Sequence, residues 1–184
     1  HKQQMGQLVH ALSNFFYTNS GSEATDNAIK IAKRYTNKNN IISITGGFHG
    51  RTIGCLSTTR SNAWHKINIP AFGWPVAPFP QLKYPLEENT NHNYIEEERC
   101  LDMTEKILKN NKTIAGMIIE PIQAEGGDRH ASNDYFIKLR QLALDNDITF
   151  IVDEVQTGCG STGKLWAYQH WSDDEKYVPD IITF

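Results

Sequence analysis

Cysteine is scarce in this chain: Cys55, Cys100 and Cys159 are three among 184 residues, and no two are close in sequence. An odd number, so widely spaced, indicates neither a disulfide framework nor a CxxC metal or redox pair, and a reducing compartment is expected. Long apolar runs are missing as well. Ile114 to Ile119 is interrupted by Gly116 and falls far short of the roughly 20 residues that span a bilayer, so no membrane segment or membrane partner is expected. Charge of one sign is also absent: 18 basic and 21 acidic residues leave a formal charge of -3, without the clustered Lys and Arg of a nucleic-acid surface. His49, His65, His92, His130 and His170 have no HExxH or paired CxxC spacing, and no metal site is expected. Proline is sparse outside one stretch, since five of the seven lie between Pro70 and Pro85. That stretch is expected to lack regular structure and to form an ordered or lid-like loop, aromatic enough through Phe72, Trp74, Phe79 and Tyr84 to pack against something.

What is present fits one domain with a real core: 184 residues, of which 39% are apolar. The chain opens on HKQQMGQLVHAL without an initiator Met or a basic, apolar leader, and it stops inside the strand-like run DIITF. A fragment of a larger domain is expected, with any targeting leader ahead of residue 1. The pattern along the chain alternates strands and helices. An apolar run at Phe15 to Thr18 leads to Ser20-Gly21-Ser22-Glu23. There Ser20 and Glu23 have capping-box spacing, Asp26 adds negative charge to the first turns, and a helix with a stripe of Ala24, Ala28, Ile31, Ala32 and Tyr35 begins. Ile41 to Thr45 reads as a buried strand followed by the glycine-rich turn GGFHGRT. Tyr94 to Asn110 reads as a surface helix with EEER on its solvated face, opposite Leu101, Thr104 and Leu108. Thr113 to Glu120 is a strand ending in a carboxylate. Ser132 caps a helix to Asn146 with a stripe of Tyr135, Leu139, Leu142 and Ala143, and Ile148 to Asp153 is again a buried strand. The expected fold is α/β, a mainly parallel sheet with flanking helices.

In such sheets ligands bind outside the carboxyl ends of the strands. That rule gathers Ser20-Gly21-Ser22, Phe48 to Arg51, Glu120 to Gly127 and Asp153 to Gln156 in one place. Gly21 and Ser22 at a helix N-terminus suit a phosphate, although plain capping uses the same residues. Asp153 ends the strand ITFIVD among apolar residues, where an unpaired charge costs several kcal/mol. Its partner is either a cation distant in sequence or a ligand. Gly158 to Lys164 fits the first seven positions of a P-loop, but Leu165 stands where that motif needs the magnesium-binding Ser or Thr, and four residues separate Asp153 from Gly158.

Pyridoxal phosphate is one ligand that combines a phosphate, a flat ring and a ring nitrogen kept cationic by a carboxylate. The strings NSGSEATDNAIK, GGFHGRTIG, EPIQAEGG and VDEVQTGCGSTGK, in this order, resemble the class III aminotransferases. HKINIPAFGWPVAPFPQLKYPLEE and GGDRHAS are similar to the 4-aminobutyrate aminotransferases of the eukaryotic type, and the likeness runs from about Phe15 to the end. The resemblance implies that residues 1–184 are part of the large cofactor-binding domain of a fold type I aminotransferase. It implies transfer of an amino group from an ω-amino acid to 2-oxoglutarate, amino acid and 2-oxo acid substrates, and a homodimer. By position, Gly21 and Ser22 would hold the cofactor phosphate, Phe48 and Val155 would flank the pyridine ring, Asp153 would bond its nitrogen and Gln156 would contact its phenolic oxygen. Arg51 would grip the distal carboxylate of the substrate. Glu125 would gate that pocket by pairing with an arginine farther along the chain, Glu120 would shape the amine side, and His49 would act through a neighbour.

The family's Schiff-base lysine follows the strand matching DIITF, so the resemblance puts it beyond Phe184, and catalysis belongs to the full-length parent. Ser20 and Glu23 occupy places where some eukaryotic members carry cluster-binding cysteines, so no iron–sulfur cluster is expected. The expected compartment is the mitochondrial matrix or the cytoplasm, undecided between them because any leader lies ahead of residue 1. The competing reading is a truncated or degenerate module that keeps the fold without catalysis.

Overall fold

The computed structural model describes residues 12–184; residues 1–11, which open the string HKQQMGQLVHAL, lie outside the described residues. Five parallel strands form one sheet: β1 (Asn40–Ile44), β2 (Val76–Ala77), β3 (Ile114–Ile119), β4 (Thr149–Asp153) and β5 (Ile181–Thr183), in the order β2-β1-β3-β4-β5. The helices are α1 (Gly21–Thr36), the single-turn α2 (Ile53–Leu56), α3 (Thr90–Asn110) and α4 (Asn133–Asp145). The α1 helix packs against β3, β4 and β5 on one face. On the other face α3 and α4 cover a larger apolar cluster that includes Met117, Tyr135, Phe136, Leu139, Phe150 and Val152. Burial on both faces explains why β3 is apolar throughout and β4 is apolar from Phe150 to Val152 rather than alternating.

The caps follow the sequence. The Ser132 hydroxyl accepts the Tyr135 N–H at 3.1 Å and starts α4. The Ser20 hydroxyl accepts the Glu23 N–H at 3.2 Å, while the Glu23 carboxylate reaches past Ser20 to accept the Asn19 N–H at 2.8 Å. The buried face of α1 is Thr25, Ala28, Ile29 and Ala32, turned from the expected stripe: Ile31 and Tyr35 are exposed. The turn has a steric cause. A side chain at Gly116 would meet Thr149 O and the Ala32 Cβ, so α1 lies on the sheet through small residues at a point where β3 has none to offer.

Three further expectations are corrected. The apolar run Phe15 to Thr18, counted as the first strand when Ser20-Gly21-Ser22 is placed at a strand's carboxyl end, is not a strand: no regular element precedes α1 among the described residues, and Phe16 and Tyr17 face solvent. The proline-rich stretch does hold regular structure, because β2 adds to the outer edge of β1 between Pro75 and Pro78, where an edge strand tolerates prolines beside it. In EEER, Glu97 is buried; its two oxygens accept the Ser132 N–H and hydroxyl, each at 2.7 Å, and so tie α3 to the start of α4.

Candidate functional site

The chain passes from β1 outward to the edge strand β2, then returns by α3 across β1 to β3 and continues to β4 and β5. The order reverses at β1, which opens a crevice at the carboxyl ends of β1 and β3. Alternation along β4 decides what enters it. Phe150 and Val152 belong to the α3/α4 side and Ile151 to the α1 side, so Asp153, two residues past Ile151, is turned toward α1.

Asp153 is 5% exposed. Its Oδ2 lies 2.8 Å from His49 Nδ1, and its Oδ1 accepts the Thr183 hydroxyl at 2.9 Å and the Val155 N–H at 3.2 Å. No Lys or Arg reaches it among the described residues. Of the alternatives open in the sequence, the protein partner proves to be an imidazole 104 residues away, with a hydroxyl from the neighbouring strand. A carboxylate offers about four lone-pair positions, and three are engaged, so one more donor can be taken.

Glu120, one residue past β3, is 6% exposed and accepts the Phe48 N–H at 2.7 Å. Burial raises its pKa from 4.5 to about 7, opposed by His49 and by the Phe48 N–H and reinforced by Asp153 and Glu125. Phe48 meets His65 edge to face, 5.5 Å between centroids. Glu125 lies 3.5 Å from His65 Nε2 and faces solvent. Arg51 and Gln156 are exposed at the rim. His49 is buried, and its backbone N–H is held by the Thr59 hydroxyl at 3.0 Å.

Gly21 and Ser22 begin α1, where N–H groups and the helix dipole favour an anion. A side chain on Gly21 would collide with both methyls of Val155, which sets the anion turn directly against the residue that follows Asp153. The donor set therefore fits a ligand with a phosphate and a flat ring bearing an N–H. The structure brings Gly21, Ser22, Phe48, Glu120, Asp153 and Val155 together at the crevice, with Arg51, Glu125 and Gln156 around it. A groove of about 580 Å³, lined by Asp26, Lys30, Lys33, Arg34, Phe72 and Trp74, lies on the outer flank of α1.

Sequence reasoning missed Thr183 and Glu154. A hydroxyl at the end of the apolar run DIITF, next to a carboxylate-ending strand, was the available signal for Thr183. Glu154 is buried and accepts from the Thr157 hydroxyl and from the Ala167 and Tyr168 N–H groups at 2.5, 3.0 and 2.9 Å; burial raises its pKa. This carboxylate organises the segment that imitates a P-loop. There the Ser161 hydroxyl donates to Thr157 O and the Lys164 ammonium donates to Gln169 O, so the glycines build a closed turn followed by one 3-10 turn, Ala167–His170, rather than by the α-helix that cradles a phosphate in a P-loop.

Crevice, anion turn and buried carboxylate at the end of a parallel strand sit on an α/β fold shared with the fold type I aminotransferases. Its solved neighbours are aminotransferases. A lysine aminotransferase from M. tuberculosis matches with TM-score 0.86 and 31% identity over 98% of this chain and 43% of that one. A transaminase from the marine bacterium Virgibacillus matches with TM-score 0.83 and 25% identity over 98% and 40%. The family model for aminotransferase class-III matches residues 1–184, and the chain belongs to this family, whose members are pyridoxal-phosphate-dependent enzymes. Among curated relatives, the mitochondrial 4-aminobutyrate aminotransferase of Sus scrofa is 57% identical over 148 residues and the 4-aminobutyrate aminotransferase of Emericella nidulans 54% over 145, each covering 78% of this chain. The chain spans about 29% of the length of these relatives. The mammalian proteins are named mitochondrial and the fungal one is not. These matches favour an enzyme over a non-catalytic module. No helix among the described residues is long and apolar enough to cross a membrane.

Proposed function

We propose that this chain is part of the large cofactor-binding domain of an enzyme that transfers the amino group of an ω-amino acid, 4-aminobutyrate first among them, to 2-oxoglutarate. Bound pyridoxal phosphate supplies an electron sink and carries the amino group between the two half-reactions. The observation that carries the reading is Asp153: a buried carboxylate with one free lone-pair position, on the α1 side of the sheet, beside an anion-binding turn. In this reading the Gly21 and Ser22 N–H groups and the Ser22 hydroxyl hold the phosphate, and Phe48 and Val155 flank the ring. Asp153, its direction set by His49 and Thr183, bonds the ring nitrogen and keeps it protonated, and Gln156 contacts the phenolic oxygen. Arg51 takes the distal carboxylate in its planar fork, Glu120 shapes the amine side and Glu125 gates the carboxylate pocket. A homodimer and the mitochondrial matrix or cytoplasm complete the proposal; the names of the mammalian relatives support the mitochondrial compartment.

The test uses the complete enzyme that carries this chain. Asp153→Asn keeps the shape and the Thr183 contact but gives the ring nitrogen no anion. Cofactor retention on dialysis and 4-aminobutyrate:2-oxoglutarate turnover should both fall by at least about a hundredfold, the scale of losing a buried charge-assisted bond. Wild-type turnover in the variant would reject the assignment.

A further inference from the structure

The turn that carries Arg51 is fastened to the phosphate-binding end of α1 at three points. Gly50 has φ +106°, and a side chain there would run into the Oγ, Cβ and Cα of Ser22, so the FHGRT turn lies directly on the first turn of α1. The Thr52 hydroxyl donates to Asp26 Oδ2 at 2.7 Å. Thr52 is the N-cap of α2, yet its side chain caps nothing in that helix; the group that ordinarily satisfies a free N–H at a helix start is turned to Asp26 instead. The Cys55 thiol lies 3.1 Å from Ser22 O and 3.4 Å from Asp26 Oδ1. Burial, with the Asp26 charge adding to it, pushes this thiol up to about 12, which makes it a neutral donor to both.

One carboxylate thus takes a hydroxyl from the residue after Arg51 and a thiol from one turn farther on. Asp26 sits beyond the first turn of α1, where the dipole effect on an acid has faded, and the clasp accounts for it. We propose that Asp26 and Thr52 are positioning residues for substrate selection: they fix Arg51 at one height above the anion turn, so that the enzyme measures the distance between an amine and a distal carboxylate. The inference rests on the role given to Arg51 above. Its physical basis is reach. Arg51 is an exposed, many-jointed side chain, and its fork can discriminate chain length only if its backbone is fixed relative to the group that holds the amine. Releasing the clasp frees the turn without touching the reacting end, so substrate binding should weaken while the rate for bound substrate is kept.

The experiment compares Thr52→Val, Thr52→Ser, Asp26→Ala, Asp26→Asn and Arg51→Ala in the complete enzyme, reading kcat and KM for 4-aminobutyrate together with cofactor retention. Thr52→Val and Asp26→Ala should each raise KM about tenfold, the worth of one hydrogen bond to a charged group, with kcat changed less than about twofold on the same scale and the cofactor retained. Thr52→Ser and Asp26→Asn keep the donor or an acceptor oxygen and should restore KM. If Arg51→Ala raises KM but Thr52→Val does not, or if Thr52→Val lowers kcat at constant KM, or if Thr52→Ser fails to restore it, the clasp is overturned and the role of Arg51 stands. If Arg51→Ala leaves KM unchanged, the role of Arg51 falls and the clasp with it. Should Thr52→Val fail to accumulate as folded protein, the Asp26→Ala and Asp26→Asn pair decides by the same comparison.

Discussion

Glu120→Gln should stabilise the cofactor-free protein at alkaline pH. In the wild type the carboxyl is buried beside Asp153, and its pKa is raised from 4.5 to about 7. The folded chain therefore holds a proton between those values that the unfolded chain gives up. The stability tied to that proton is full below about pH 4.5 and is lost as pH rises through about 7. With about 1.4 kcal/mol per tenfold of proton affinity, the loss amounts to about 3 kcal/mol. Glutamine cannot ionise, and its side-chain oxygen can still accept the Phe48 N–H that Glu120 holds at 2.7 Å. Urea unfolding of wild type and Glu120→Gln at pH 5 and pH 8.5 measures the effect, because every other titrating group is common to both proteins. The free-energy gap should move in favour of the variant by about 2–3 kcal/mol between the two pH values. A gap that does not change with pH would mean that Glu120 titrates as an ordinary carboxyl, and the crevice would then be wetter or more cationic than its geometry indicates.

Gly50→Ala should destabilise the protein by about 1–3 kcal/mol, since it combines a strained positive φ with a collision against Ser22; thermal unfolding checks the cost, and loss of cofactor retention at matched folding checks that the anion turn has moved. Leu139→Ala removes a fully buried side chain at the centre of the α3/α4 side and should cost about 2–5 kcal/mol in chemical denaturation while leaving the cofactor absorbance of the folded fraction unchanged.

The sequence made α4 and the central strands readable because their signals are local: a serine cap, an apolar period, a run of β-branched residues. Partners far apart in sequence were not readable. Glu97 looked like one charge in a solvated run, and only the meeting of α3 with Ser132, 35 residues on, makes it a buried anchor. The stripe of α1 was displaced because the helix lies on Gly116, and small residues at the contact outweigh the larger Ile31 and Tyr35. Asp153 was found as a carboxylate in need of a partner, but nothing local distinguished His49 from the other histidines. The edge strand β2 was hidden by the prolines around it. Glu125 lies 3.5 Å from His65 Nε2, a contact that the spacing does not encode.

The placement of Asp153 ties the chemistry of the crevice to the packing of the sheet beneath it. Side chains alternate along β4, so a slip of one residue against β3 would send Phe150 and Val152 toward α1 and turn Asp153 to the opposite face, away from His49 and the anion turn. What opposes that slip is the pairing of Gly116 with Thr149 and of Ile119 with Val152, together with the close seat of Ala32 over Gly116. On the far side Thr183 pairs with Asp153 in register and also donates to it, so β5 fixes both the height and the direction of the carboxylate. His49 approaches from β1, across the end of β3, and can reach Asp153 only because the strand order puts β3 alone between them. The carboxylate at the end of β4, held by Thr183 on β5 and by His49 on the loop after β1, is buried, while Arg51, Gln156 and Glu125 on the surrounding loops are exposed.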